Sequence, residues 1–464
     1  MDTIQRFVQF ACKTKYDDIP ADAIAAAKML LTDIIATTVC GTTSDGTREA
    51  VSLLMDWGGK EESTVLVYDK KLPVYHAAFL NSLLSHARDY DEVQEDAIVH
   101  TGVSVIPTAL AVAEAVGNVS GKKLLASIVL TDELFIRMGL SIKTSIMQSG
   151  WIYSALCGHF ACALCSSLLL GLSEEQTVNA LGLVYSQAAG NQQCATDTSL
   201  AKRMQPAFAA RSGVFSAYLA KSGLTGAQNI FDGDYSFYKV YIKDQCDKSI
   251  LTEDLGKKYW IPTLSYKPYP VCGLSLSAAD GVRKIMHDHN VKMEEITGFD
   301  IGMTKQTHAL LVEPKEVKYN PNRIVDAQFS IPFAVAMMAA RGHLYLSDLT
   351  EQGLQDPVMR GLLNRVQVHI DEELEAKFAR GVPPSRVTIH TARGSFTECV
   401  FHKGNPENPF TAEDVRGKYM DAMKFGMYPT KPGAPEKILE MIDQLEDMDD
   451  ITLFIREINS AFVR

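Results

Sequence analysis

Trp151-Ile152-Tyr153-Ser154-Ala155-Leu156-Cys157-Gly158-His159-Phe160-Ala161-Cys162-Ala163-Leu164-Cys165-Ser166-Ser167-Leu168-Leu169-Leu170 lies within a stretch that has no charged residue between Lys143 and Glu174. A membrane-spanning helix needs about 20 predominantly apolar residues. Here Gln148, Ser149, Gly150, Ser154, Gly158, His159, Ser166 and Ser167 interrupt the run. The segment therefore reads as a helix buried at the centre of a helical protein. Its surroundings agree. Ile24–Val39, Val105–Val116, Lys122–Ile146, Ser173–Ala188 and Pro206–Ser222 place apolar residues every third or fourth position, as helices with a buried face do. Many of these runs are rich in Ala, Gly and Ser, which lets backbones approach closely.

The pattern changes after Tyr259-Trp260-Ile261-Pro262. Glu295–Thr304, Arg365–Asp371, Ser385–Thr391 and Ser395–Phe401 alternate apolar and polar residues, the period of half-buried strands. Arg393-Gly394 is read as the turn between the last two. Helices are expected at Ser275–His289, Gln328–Arg341 and Leu346–Asn364, then at Ala412–Phe425, Ala434–Asp443 and Asp449–Phe462. The predicted fold is mainly α with an α+β insertion. Residues 1–261 and 405–464 would form a large all-helical domain from both chain ends, and residues 262–404 a smaller α+β lid domain.

With 464 residues, 46% of them hydrophobic and 22% charged, the chain can build two or three domains with a substantial core. A net charge of −11 argues against nucleic acid or an anionic membrane as partner, since both need a basic face. A small anionic substrate responds to a local pocket and stays open. The nine cysteines are odd in number and scattered, and Cys162-x-x-Cys165 has no second pair at zinc-site spacing. They read as reduced, buried thiols. Met1–Val8 lacks a cationic segment leading into an apolar one, so the expected location is cytoplasmic, without a signal peptide.

The chemistry concentrates in His86-Ala87-Arg88-Asp89-Tyr90-Asp91-Glu92-Val93-Gln94-Glu95-Asp96-Ala97-Ile98-Val99-His100. These fifteen residues hold five carboxylates, a tyrosine and two imidazoles. Carboxylates beside imidazole suit proton abstraction next to a carboxylate or carbonyl. The plainer reading is a solvated acidic loop between two helices. Asp89, Glu92 and Asp96 would share one face if the segment were helical, which would allow a divalent ion with His100.

Six segments in order resemble the MmgE/PrpD family, which includes 2-methylcitrate dehydratase, cis-aconitate decarboxylase and an iminodisuccinate epimerase. They are His86–Glu92; His100-Thr101-Gly102; Lys202–Gly213, beginning Lys-Arg-Met-Gln-Pro; Lys267-Pro-Tyr-Pro-Val-Cys272; Asp326-Ala-Gln-Phe-Ser-Ile-Pro332; and Gly404-Asn-Pro-Glu-Asn-Pro409. The resemblance runs from about Thr3 to Ala461. It implies a homodimer with no cofactor and no metal, acting on a small di- or tricarboxylate in a cleft between its domains. It also implies catalytic roles for Asp89, His100, Lys202 and Tyr319; Arg203 and Lys267 are, by their charge, candidate carboxylate clamps, a guanidinium being suited to bidentate contacts.

The departures from the family pattern matter as much. Ile152 stands where the family has an active-site histidine, Val93 replaces a threonine, and Gln205 replaces the histidine after the Lys-Arg pair. Gly273 and Leu276 replace an arginine and a histidine. An isoleucine can move no proton. The adjacent Tyr153 is a candidate substitute. His159, two helical turns on, is read as a core imidazole. His86 is read as a hydrogen-bonded support and Arg211 as a structural pairing residue. The leading expectation is a dehydratase of 2-methylcitrate type. An epimerase using two opposed acid/base groups, a decarboxylase of cis-aconitate type, and a non-catalytic carboxylate-binding protein are the alternatives.

Overall fold

The computed structural model describes residues 1–197, 199–378 and 381–464. It is a mainly α protein with a small mixed sheet. The chain divides into two compact units, one of Met1–Leu264 with Ala412–Arg464 and one of Ser265–Thr411.

The first unit is built on six long helices: α1 (Ala21–Gly41), α2 (Val74–His86), α3 (Gly102–Val116), α4 (Gly121–Ser141), α5 (Tyr153–Leu170) and α6 (Ala201–Lys221). Helix α5 is the charge-free segment, and nearly all of its residues are buried. Both α1 and α5 are long and apolar enough to cross a membrane, and both lie mostly inside the unit. Being apolar on every side, they are core helices.

Small residues set how closely these helices pack. A Cβ on Gly213 of α6 would sit 2.4 Å from Cys162 Cβ of α5, and one on Gly41 of α1 would sit 1.8 Å from the Leu84 carbonyl oxygen of α2. Backbones this close leave room only for hydrogen. Helix α4 ends at Ser141, earlier than the expected Ile146. There the Lys143 N–H turns to the Gln245 carbonyl, and Ser145 caps a separate short helix, Ile146–Ser149. The sequence reading missed a hairpin, β1 (Ser63–Val65) with β2 (Lys70–Leu72). Its strands are three residues each, too short for alternation to register.

The second unit holds a four-stranded sheet: β3 (Ile296–Met303), β4 (Val366–Ile370), β5 (Ser385–Thr391) and β6 (Gly394–Val400), in the order β4-β3-β5-β6. Strands β3 and β4 run parallel, and the other pairs are antiparallel. The inward residues Phe299, Ile301, Val387 and Ile389 pack with the helices Gly273–Asp288 and Ile331–Arg341 in one core. Gly394 pairs with Thr391, so Ala392-Arg393 form the two-residue loop and the expected turn shifts by one residue. The helix expected over Leu346–Asn364 is three pieces. Thr350 caps Glu351–Leu354, and Asp356 caps Pro357–Leu363 with Pro357 at its first position.

Candidate active site

Helix α2 ends at His86, which delivers an imidazole into the loop before α3. That loop is buried, against the expectation of a solvated acidic turn. Asp91 and Glu92 are 0% exposed and Asp89 is 8% exposed, leaving Asp96 as the acid that faces solvent. It is also not helical. Gln94 and Val99 exchange backbone hydrogen bonds of 2.8 and 3.2 Å, and the Gln94 side chain accepts from the Ala97 N–H. Asp89 and Ile98 are held at φ +52° and +58°. Aspartate tolerates this region, whereas a β-branched residue is costly there.

The loop is anchored from both sides. Glu92 Oε1 accepts from the Gly102 N–H at 2.7 Å, where the start of α3 leaves unpaired donors. Below it, Lys418 of the tail helix Ala412–Ala422 reaches Asp33 Oδ1 of α1 at 2.6 Å. The same ammonium donates to the Tyr90 carbonyl and lies 4.1 Å from the Tyr90 ring centre.

Asp91 sits between two imidazoles. His86 Nδ1 is 3.0 Å from its Oδ1, and His100 Nδ1 is 2.7 Å from its Oδ2. His100 Nδ1 also bonds the Glu92 carbonyl at 2.6 Å. On the far side of His86, Lys202 in the first turn of α6 donates to Nε2 at 3.1 Å and to Asp89 Oδ1 at 3.3 Å. Among the described residues, the continuous polar chain is therefore Asp89, Lys202, His86, Asp91 and His100. The His100 side chain keeps 19% of its exposure.

Burial shapes the charges in this chain. It pushes His86 down to about 4, Lys202 adding to the effect and Asp91 opposing it. Burial alone would raise Asp91, but the two imidazoles hold it well below the usual carboxylate range. Among the described residues Glu92 has no cation of its own. Burial, then Asp91 and Asp33, push it up to about 8, so it is mostly protonated at neutral pH. One nitrogen or oxygen each from His86, Asp91 and His100 lie within 4.8 Å of one another. Those atoms are already at hydrogen-bonding distance, an arrangement suited to holding protons. The helical face of Asp89, Glu92 and Asp96 that a metal would have needed does not form.

The other sequence candidates fall in separate places. Arg203 donates to the Asp45 carbonyl at 3.2 Å. Tyr153 is fully buried, its hydroxyl donating to the Thr144 carbonyl at 2.8 Å beside Ser149 Oγ at 3.0 Å. Ile152 precedes it as the N-cap of α5, and Ser154 Oγ accepts from the His100 N–H at 3.0 Å. Gln205 forms a two-way bond with the Asn191 backbone. His159 donates to the Ala155 carbonyl deep in α5, and burial lowers it to about 4. Arg211 lies over the rings of Phe79 and Phe208.

Lys267 and Tyr319 belong to the second unit. Lys267 is buried, and Tyr319 is half-buried against that unit's core, its phenol raised by burial. Two of the family-like segments meet there, with the turn before Tyr319. The Cys272 N–H bonds the Gln328 carbonyl, the Gln328 amide bonds the Pro270 carbonyl, and Ser330 Oγ donates to the Lys318 carbonyl.

Residues 5–249 match the MmgE/PrpD N-terminal domain and residues 269–445 the MmgE/PrpD C-terminal domain. The chain belongs to the MmgE/PrpD family. It is similar to a cis-aconitate decarboxylase of Aspergillus terreus (strain NIH 2624 / FGSC A1156), with 25% identity over 96% of this chain and 93% of that protein. A cis-aconitate decarboxylase of Mus musculus is 23% identical over 97% and 92%. A cis-aconitate decarboxylase-like protein of Aspergillus oryzae, oryM, is 29% identical over 59% and 60%. Family and relatives are enzymes, and they support a lyase of dehydratase or decarboxylase type. Within the MmgE/PrpD pattern, the sequence reading singled out Asp89 and passed over Asp91. Asp91 stands five residues from His86, a spacing that no regular helix or strand would bring into contact.

Proposed function

We propose that this MmgE/PrpD protein is a metal-independent lyase acting at the carbon next to a carboxylate of a small di- or tricarboxylic acid, with dehydration of a 2-methylcitrate-like substrate as its reaction. The observation that carries this is the Lys202 ammonium held between Asp89 and His86 Nε2, with His100 on the other side of Asp91. Lys202 supplies positive charge to a substrate carboxylate and to the enolate that develops when the neighbouring C–H is broken. His100 takes that proton on Nε2. The electron pair forms the double bond, the adjacent C–O bond breaks, and the hydroxyl leaves as water as His100 gives up the proton it took. Arg203 holds a further carboxylate.

Decarboxylation is the second reading, favoured by the three relatives named as cis-aconitate decarboxylases or like one. There a C–C bond breaks, carbon dioxide leaves, and His100 returns a proton to carbon. Epimerisation through Tyr153 is disfavoured, because its hydroxyl is committed to the Thr144 carbonyl.

Proton NMR of the purified protein in deuterated water, with citrate, methylcitrate, aconitate and aspartate-derived acids, separates these. An alkene product supports the dehydratase, carbon dioxide release the decarboxylase, and deuterium uptake without net conversion an epimerase. Lys202→Met should lower kcat by about 10²–10³, the cost of losing one charge-stabilising donor. No turnover of any acid by folded protein overturns the enzyme reading in favour of carboxylate binding alone.

A further inference from the structure

We propose that Asp91 is a positioning residue that fixes the tautomers of both imidazoles, so that His86 serves only to hold Lys202 and His100 alone carries the reacting proton. The tautomers follow from what each ring nitrogen faces. His86 Nδ1 meets both Asp91 oxygens, at 3.0 and 3.1 Å, and these can only accept. Its Nε2 meets the Lys202 ammonium at 3.1 Å, which can only donate. His86 is therefore Nδ1–H with a lone pair on Nε2, and it is neutral. A second proton would set Nε2–H against an ammonium.

His100 Nδ1 faces two acceptors, Asp91 Oδ2 at 2.7 Å and the Glu92 carbonyl at 2.6 Å, so it also carries hydrogen. Among the described residues nothing is bonded to His100 Nε2. That nitrogen can gain and lose a proton, and the Nδ1–H contact to an anionic Asp91 stabilises the imidazolium that results. The charged and titratable groups facing this pair are Asp91, Lys202 and Asp89, with Asp33 and Glu92 behind Asp91. One carboxylate thus assigns two different tasks to two chemically identical rings.

The tautomer assignment stands without turnover, and only its kinetic consequence rests on the proposed function. Long-range ¹H–¹⁵N spectra of histidine-labelled protein are the test. Both rings should show a protonated Nδ1. His86 Nε2 should stay unprotonated from pH 8 down to about 5, since burial, with Lys202 adding to it, pushes that ring down to about 4. Asp91→Asn removes the carboxylate charge and replaces one acceptor oxygen with an NH₂ donor, so the two Nδ1–H groups are left with one neutral oxygen to share. Both contacts weaken, the imidazolium formed on His100 loses its anionic partner, and kcat should fall by roughly 10²–10⁴ with a smaller change in KM.

A wild-type spectrum with either ring protonated on Nε2 alone at high pH overturns the proposal whether or not any acid is turned over. So does full kcat in Asp91→Asn. Should that variant fold poorly, Lys202→Met replaces it. With the facing donor gone, His86 Nε2 should begin to take up a proton at higher pH than in the wild type, and an unchanged His86 titration refutes its assigned task.

Discussion

Lys418→Met tests how far the tail of the chain supports the site. Lys418 and Asp33 are 3% and 0% exposed in their side chains, and their contact joins a helix near the C-terminus to α1. Burial pushes the Asp33 carboxyl up, and Lys418 is the first group opposing it. Without the ammonium, Asp33 must stay charged in an apolar interior or take up a proton, and the Tyr90 carbonyl loses its donor. Removing one partner of a buried pair costs about 3–5 kcal/mol. Replacing both partners with apolar residues of similar volume is often nearly neutral. The expectation is a loss of about 3–5 kcal/mol for Lys418→Met, most of it regained in Asp33→Leu/Lys418→Met. Urea unfolding followed by far-UV circular dichroism and tryptophan fluorescence measures both. Activity should fall in the single variant as well, because the lost donor holds the Tyr90 carbonyl, which lies between Asp89 and Asp91 in the chain. A single variant within about 1 kcal/mol of wild type, or a double variant no better than the single, refutes the reasoning.

Two further expectations concern pH. Glu92 ionises near 4.5 when unfolded and is pushed up to about 8 when folded, so its contribution is intact below pH 4.5 and is lost as pH rises toward 8. Glu92→Gln keeps the acceptor for the Gly102 N–H and removes the titration. It should gain roughly 3–4 kcal/mol over wild type at pH 7.5 and little at pH 4.5, and a stability difference that is flat with pH would refute this. His159 has the opposite sign. Its folded value of about 4 lies below the unfolded 6.5, so stability is intact at neutral pH and is lost as pH falls from 6.5 toward 4. His159→Leu should remove roughly 2 kcal/mol of the loss seen between pH 7.5 and 5, read from urea midpoints, and an unchanged acid slope would refute the assignment.

Much of the helical framework is legible in the chain because each long helix carries its own signal. Helix α5 has no charge to expose, Pro206 to Lys221 repeats small and apolar residues, and β5 alternates strictly enough for its limits to be read directly. Where the reading erred, a local cap had broken a longer pattern, as at Ser145, Thr350 and Asp356. Periodicity averages over a window, whereas a cap acts at a single residue. The charge-rich loop was harder to read. Composition says solvated surface, yet Asp91 and Glu92 are wholly buried because the imidazoles at 86 and 100 and the start of α3 supply them with donors, while the Lys418 ammonium holds the Tyr90 carbonyl beside them. No window around residue 91 contains position 418.

The family pattern located the loop but ranked its acids by matching Asp89, the carboxylate that touches Lys202. The geometry separates the acids by what faces each. Asp89 faces a cation, Asp91 two N–H donors, and Glu92 a helix start with other carboxyls nearby. One therefore anchors, one orients and one stays protonated. The same logic bears on Ile152. The sequence resemblance implies a proton-carrying histidine there, while the Asp91-bridged pair leaves His100 with a partnered Nδ1 and, among the described residues, an unbonded Nε2. On the proposed reading, a chain with this pair and isoleucine at 152 retains one group to add or remove a proton at carbon. It has fewer groups with which to do so from two faces, which is why the proposal is a lyase and not an epimerase.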